Sequence, residues 1–310
     1  MFASSTAVQS FTPIKPLYMW AGGKSKLLKR YQGKIPEHGY STVIEPFFGG
    51  GAVSCDFMNK GVAQHFFIND INTEMMSVHK AIKQDCETFI KNVEALASQW
   101  NKRNEAKRYK WYYELRTKYW SMPKGEVKTA ATLYVLMKMG FNGLWQPSKE
   151  HGGKFGTAVG LTDKTAKIDS ELIRAWAERL QHATLSSKSY KHMNIPSVPC
   201  LIYCDPPYRS SFADYGNGFT DAEQIEVIDW CKQMAQKGHT VVLANRDCGD
   251  GFFDNHLSGA TVHYFDVTYT LGRKKKTDDG YVATQAREFI AVFQPDGVVA
   301  MNDEQYAMVA

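Results

Sequence analysis

No Cys-x-x-Cys pair occurs in this chain, and its cysteines (Cys55, Cys86, Cys200, Cys204, Cys231 and Cys248) show no Cys/His spacing typical of a zinc site. No secretory leader is read at the start, so free thiols in a reducing cytoplasm are expected. No apolar run approaches the ~18–20 residues that a membrane helix needs. Internal repeats and low-complexity blocks are missing. Neither charge sign dominates: 37 Lys and Arg face 32 Asp and Glu, a net +5 that permits a polyanionic partner without demanding one. With 44% hydrophobic and 22% charged residues over 310 positions, a wholly disordered chain is excluded and about two domains fit. What is plentiful is aromatic: 13% of residues, with 7 Trp and 16 Tyr.

Along the chain, Thr42–Glu45 reads as a short strand running into Gly49-Gly50-Gly51, with a helix over Ala52–Lys60. Phe66–Asn69 reads as a second strand and Thr73–Lys83 as a helix capped by Asn72 or Thr73. This is how a doubly wound sheet opens. From Cys86 to about Met139 the texture turns helical, and Phe141–Thr162 is glycine-rich and looped. Alternation resumes with a helix over Asp169–His182, a strand at Leu201–Cys204 and a helix over Thr220–Lys237 with a Thr220/Glu223 capping box. A strand at Thr240–Asn245 follows, then a strand pair, Thr261–Tyr269 and Glu288–Phe293, around a polar loop. The expected organisation is an α/β sheet domain of residues 11–83 and 166–296, interrupted by a helical domain at 84–165. Residues 1–10 and 297–310 read as tails.

Glycines where a strand becomes a helix let a ligand approach the backbone and meet free N–H groups. Asp70 follows 19 residues after Gly51, at the end of the next strand, where a carboxylate can accept from two ribose hydroxyls. Alone, this fits NAD, FAD or S-adenosylmethionine equally, or an ordinary tight turn.

Asp205-Pro206-Pro207-Tyr208 says more. Two prolines directly after a buried strand stiffen the turn at the sheet's C-terminal edge. Asp205 supplies an acceptor, Pro206 a carbonyl and Tyr208 a flat face. An exocyclic amine can donate to the carboxylate and the carbonyl while its base stacks on the ring, which poises the amine for in-line methyl transfer.

At these residues the chain resembles the Dam-like DNA adenine-N6 methyltransferases (D12 class, alpha motif order). Trp20-Ala21-Gly22-Gly23-Lys24 is similar to the family's first cofactor segment, Glu45–Gly51 to its glycine motif, Asn69–Asn72 to its ribose segment and Asp205–Tyr208 to its catalytic motif. Asn142-Gly143-Leu144 resembles part of the recognition domain, and Phe219-Thr220, Leu243–Asp247 and Glu288–Phe293 the later sheet motifs. The resemblance covers residues 17–295. It implies a Rossmann-like α/β sheet that uses S-adenosylmethionine, with an inserted, mostly helical target-recognition domain. The partner would be double-stranded DNA, with no membrane and no metal, and the chain a monomer or weak dimer. It implies that Trp20, Gly22, Lys24, Glu45, Phe48, Gly49, Gly51 and Asp70 bind the cofactor, and that Asp205 serves both cofactor and adenine. Phe141, Asn142, Leu144, Trp145 and Gln146 would meet DNA, with Phe141 and Trp145 placed to wedge into it.

Two departures bear on the target. Family members that read GATC carry a lysine before the Trp, where this chain has Met19, and an arginine after Asn-Gly-Leu, where it has Gln146. A recognition-loop proline is Ala158. Lys and Arg are the usual readers of guanine edges, so a different or relaxed target is expected. Asn101–Trp120 carries seven basic and two acidic residues, interleaved with aromatics, and reads either as a phosphate-gripping face or as a solvated helix with its rings in a core. Arg273, Lys274, Lys275 and Lys276 read as a phosphate-contacting loop. The rivals are methyl transfer to RNA adenine or to a protein amide, and a non-catalytic DNA-binding protein with a relic pocket; a nicotinamide-dependent oxidoreductase is more distant.

Overall fold

Apolar runs without alternation become strands buried on both faces, as parallel sheets require. In the computed structural model, which describes residues 11–20, 22–209, 219–269, 275–277, 280–282 and 284–295 (269, 275–277, 280–282 and 284 by backbone alone), a short turn of 3-10 helix, Lys24–Lys26, leads into α1 (Leu28–Tyr31). Then come β1 (Thr42–Glu45), α2 (Ala52–Lys60), β2 (His65–Asn69) and α3 (Thr73–Gln84). Three helices follow, α4 (Cys86–Asn101), α5 (Glu105–Ser121) and α6 (Val127–Met139), and then α7 (Ser170–Gln181). The chain continues through β3 (Ala183–Ser186), β4 (Leu201–Cys204), α8 (Asp221–Gln236), β5 (Thr240–Asp247), α9 (Phe252–His256) and β6 (Ala260–Tyr269), and on through β7 (Lys275–Thr277), β8 (Gly280–Val282) and β9 (Thr284–Phe293).

Seven strands form one sheet in the order β3-β2-β1-β4-β5-β9-β6. The first five are parallel and β9 runs antiparallel to both β5 and β6. This is the α/β, Rossmann-like arrangement expected from the sequence. Alternate residues of each strand feed opposite cores. Val43, Leu201, Tyr203 and Val242 pack with α2, α3, α6 and α7, while Ile44, Ile202, Cys204 and Leu243 pack with α8 and α9. Helix α6 is buried all round apart from its ends and Lys138, and it packs against α3, α4 and α5.

Local signals place several boundaries. Asn72 caps α3 by accepting from the Met75 N–H at 3.1 Å, and Thr220 with Glu223 forms the expected capping box on α8. Three short elements escaped the sequence reading, α1, β3 and α9. β3 is four residues of a half-exposed edge strand running straight on from α7, and α9 is five residues long. The expected polar loop between the last strands is partly strand: Lys275 and Lys276 pair with Val282 and Tyr281. Arg273 and Lys274 lie outside the described residues.

The basic run of α5 divides between solvent and interior. Arg108, 7% exposed, donates to the carbonyls of Trp100, Thr162 and Lys164 at 2.8–3.3 Å, and Arg116 to those of Gly156 and Thr157 at 2.8 and 2.9 Å. Trp111 and Tyr112 are buried and Tyr109 is exposed, so the rings serve both faces. These arginines therefore act as struts that hold the 156–164 backbone. Arg108→Met should cost about 2 kcal/mol in urea unfolding, because it removes three hydrogen bonds made by a buried guanidinium and leaves the Thr162 carbonyl without its donor. Lys110→Met, on the exposed face of the same helix, should change stability by less than about 0.5 kcal/mol. Equal effects at the two positions would contradict the strut assignment.

Candidate active site

The strand order reverses between β1 and β4: β2 and β3 build outward on one side, and β4 is followed by β5 on the other. Loops leaving the carboxyl ends of β1 and β4 open a crevice there, the position where such sheets bind ligands. Glu45–Gly51 and Asp205–Tyr208 thus face each other, although about 155 residues separate them along the chain.

The Asp205–Tyr208 turn is braced from behind. Gln224 donates to the Pro207 carbonyl at 2.8 Å and accepts from the Asn245 side-chain amide at 3.0 Å; both side chains are fully buried. Asn245 in turn accepts from the Arg246 N–H at 2.8 Å. Among the described residues the Pro206 carbonyl has no hydrogen-bond partner. The Tyr208 hydroxyl donates to Glu288 on β9 at 2.6 Å, which fixes the ring. Burial pushes the Asp205 carboxyl above its usual 3.8, and the Lys24 ammonium pulls it back. That ammonium, on a lysine only 2% exposed, donates to Oδ1 and Oδ2 of Asp205 at 2.7 and 2.6 Å and lies 4.6 Å from the centre of the Tyr208 ring. Lys24, read from the sequence as a cofactor contact, is thus also the partner of the catalytic-motif carboxylate.

The glycines have a further occupant. Gly49 and Gly51 adopt φ of 51° and 74°, the left-handed region that glycine tolerates. The half-buried Trp20 lies across Gly49 and Gly50, where a β-carbon would stand 2.7 and 2.6 Å from it, and the Phe48 ring covers Gly51. Glu45, 3% exposed, accepts from the Ser54 hydroxyl, and burial raises its carboxyl from 4.5 to about 8. Asp70 accepts from the Gly49 and Asn72 N–H groups, both at 2.8 Å. Burial raises its pKa and those two bonds lower it. Beside it Ile71 is 72% exposed, an apolar face next to the carboxylate.

Across the crevice, Phe141 is 54% exposed, Asn142 and Gln146 are exposed, and Leu144 and Trp145 are half-buried. Asn142 has φ of 55°, rare for a residue with a side chain. The Trp145 indole N–H donates to Glu74 at 3.2 Å, so Trp145 is anchored while Phe141 projects. Met19, 51% exposed, lies beside Gly143. Sequence reading missed Glu74 and Glu288. An acid in a helix's first turn signals only favourable dipole placement, and one on a closing strand signals nothing.

These groups line a cleft of about 2870 Å³ that includes Trp20, Lys24, Glu45, Asp70, Phe141 and Tyr208. Small-molecule sites run to about 1,000 Å³, so the cleft has room for more than one small ligand. The residues fit an adenosyl cofactor: each Asp70 oxygen accepts one N–H and keeps a lone pair for a ribose hydroxyl, and Ile71 offers an apolar face for a base. Among the described residues no group of His, Cys, Asp and Glu could hold a metal ion, and no helix is long and apolar enough to cross a membrane.

A family model described as D12 class N6 adenine-specific DNA methyltransferase matches residues 20–271. The chain is 30% identical over 284 residues to a DNA adenine methylase of Vibrio cholerae, covering 89% of this chain and 95% of the relative. It is 27% identical over 245 residues to a type II methyltransferase of Methanocaldococcus jannaschii, covering 75% and 84%. The retron Ec67 DNA adenine methylase of Escherichia coli is 28% identical over 256 residues, covering 82% and 84%.

Glu45 sets a pH signature. Folded, its carboxyl keeps a proton up to about pH 8; unfolded, it releases that proton near 4.5. Across that interval folding takes up a proton, so stability falls as pH rises, by up to about 1.4 kcal/mol per unit, and levels off above. Urea unfolding of wild type and Glu45→Gln from pH 5 to 9 should show this slope lost in the variant. Parallel profiles would contradict it.

Proposed function

The chain belongs to the D12 class N6 adenine-specific DNA methyltransferases, and on that premise we propose which of its residues carry the reaction and how the target is read. It is an S-adenosylmethionine-dependent enzyme that methylates N6 of adenine in DNA. The bound cofactor supplies an electrophilic methyl group.

Asp70 holds the ribose hydroxyls, while Trp20, Gly22, Phe48, Gly49 and Gly51 shape the pocket and Glu45 closes its floor. Asp205 and the Pro206 carbonyl accept the two N–H bonds of the adenine amine. This fixes the amine and turns its lone pair toward the methyl group. Lys24 takes one lone pair of each Asp205 oxygen and leaves the others for substrate. Tyr208, tied to Glu288, stacks on an adenine flipped out of the duplex. The methylated amine sheds its proton afterwards. The observation that carries this assignment is the Asp205–Pro207 turn, where Gln224 holds the Pro207 carbonyl and the Pro206 carbonyl has no hydrogen-bond partner among the described residues.

Residues 84–165 serve target recognition. Phe141 enters the duplex, Asn142 and Gln146 face it, and Arg273–Lys276 contact phosphates. Met19 and Gln146 offer no cation to a guanine edge, so the enzyme reads little beyond the adenine, or a context other than GATC. The cytoplasm is its setting.

Two experiments test this reading. Asp205→Ala should lower methyl transfer by about a thousandfold or more while duplex binding stays within a few-fold; near-normal turnover would remove Asp205 from its role. Single-molecule sequencing of unmethylated plasmid incubated with enzyme and cofactor should show modified adenines outside GATC. Modification confined to GATC would overturn the relaxed-target reading.

A further inference from the structure

One carboxylate joins the cofactor side of the cleft to its DNA side. Glu74 lies in the first turn of α3, four residues after Asp70, with its side chain 12% exposed. Four donors converge on it. Oε1 accepts from the Tyr119 hydroxyl at 2.9 Å and the Lys124 ammonium at 3.0 Å; Oε2 accepts from the Trp145 indole N–H at 3.2 Å and the Phe155 backbone N–H at 3.1 Å.

Each contact reaches a different stretch of the helical insertion. Trp145 and Phe155 stand on the two arms of a loop that is closed on itself by Thr157, which donates to the Leu144 carbonyl at 2.9 Å and accepts from the Gln146 N–H at 3.0 Å. The same loop is held from outside by Arg116, by Tyr112 and by the Trp120 indole, which donates to the Phe155 carbonyl at 2.8 Å. Glu74 alone among these holds it from the sheet domain. Its own position is rigid, since Asn72 caps the helix and bonds through its N–H to Asp70.

We propose that Glu74 is a positioning residue that fixes the 141–157 loop over the cofactor edge of the cleft, so that duplex DNA meets Phe141 and Gln146 already placed opposite Asp205. This rests on the assignment of that loop to DNA. A fixed loop spares the ordering cost that a free one would incur on binding. Losing Glu74 therefore weakens DNA binding without altering the pocket that holds the cofactor. The coupling passes through Trp145, which makes the pair non-additive.

Fluorescence anisotropy with a labelled adenine-containing duplex, and calorimetry with S-adenosylhomocysteine, separate the two sides. Glu74→Ala should weaken duplex binding at least tenfold, with affinity for S-adenosylhomocysteine within twofold of wild type and kcat at saturating DNA within about threefold. Trp145→Phe should weaken the duplex about threefold, and the double variant should be no weaker than Glu74→Ala. A folded Glu74→Ala that binds duplex like wild type overturns the proposal, as does one that loses both ligands together. If Glu74→Ala does not fold, Trp145→Phe decides: duplex binding unchanged from wild type overturns the proposal. Phe141→Ala guards the premise. If it too leaves duplex binding unchanged, the loop does not touch DNA; if it weakens binding while Glu74→Ala does not, only the role of Glu74 fails.

Discussion

The parallel pairing of β1 with β4 is the constraint on which the rest of the molecule depends. Val43 and Ile44 stand in register with Leu201 and Ile202, so both strands end on the same side of the sheet. The glycine turn that leaves one and the proline turn that leaves the other must then face across a single gap. Everything chemical in the chain is arranged around that gap. Asp70 arrives from β2, Glu288 from β9 and Lys24 from the segment that precedes the sheet, each set by the position of its neighbours. A sheet whose strand order did not reverse there would leave no crevice, whatever residues its loops carried.

Burial turns the electrostatics of this gap into an organising force. Glu45, Asp70 and Asp205 crowd the carboxyl end of a few adjacent strands, and desolvation pushes all three toward their neutral forms. Each is held differently. Glu45 takes a hydroxyl donor, Asp70 takes two backbone N–H groups and Asp205 takes a buried ammonium. Only the last brings a full opposite charge, so the carboxylate assigned to the amine is the one with a fixed cation beside it. The net positive charge of the chain tells a more mixed story. Arg108 and Arg116 spend their charge on loop carbonyls inside the protein, and the basicity left to the surface is smaller than composition suggests.

Contiguous features were legible in the sequence. The Asp205–Tyr208 turn, the glycine cluster, the Asn72 cap and the Thr220/Glu223 box each lie within a few residues, and their chemistry can be read locally. Paired features were not legible. The bond from Lys24 to Asp205 spans 181 positions, and nothing in the Trp20–Lys24 segment indicates that its lysine is buried against a distant acid. Glu74 looked like any acid in a first turn, because its four donors come from 45 to 81 residues away. Arg108 and Lys110 cannot be told apart in a run of charges until the helix is set against its loop. β3 and α9 were too short, and β3 too exposed, to leave a periodic signal.

The seating of Trp20 on Gly49 and Gly50, together with the burial of Lys24 against Asp205, has a consequence for the order in which the site comes into being. The segment carrying both side chains is the first of these parts to leave the ribosome, and the acid that receives the lysine is among the last. The indole can settle onto the glycine turn early, but the ammonium has no counter-ion until β4 has been made and added beside β1. The Lys24–Asp205 pair therefore forms only after β4 has been made, and the half of the pocket built on the glycine turn does not wait for it.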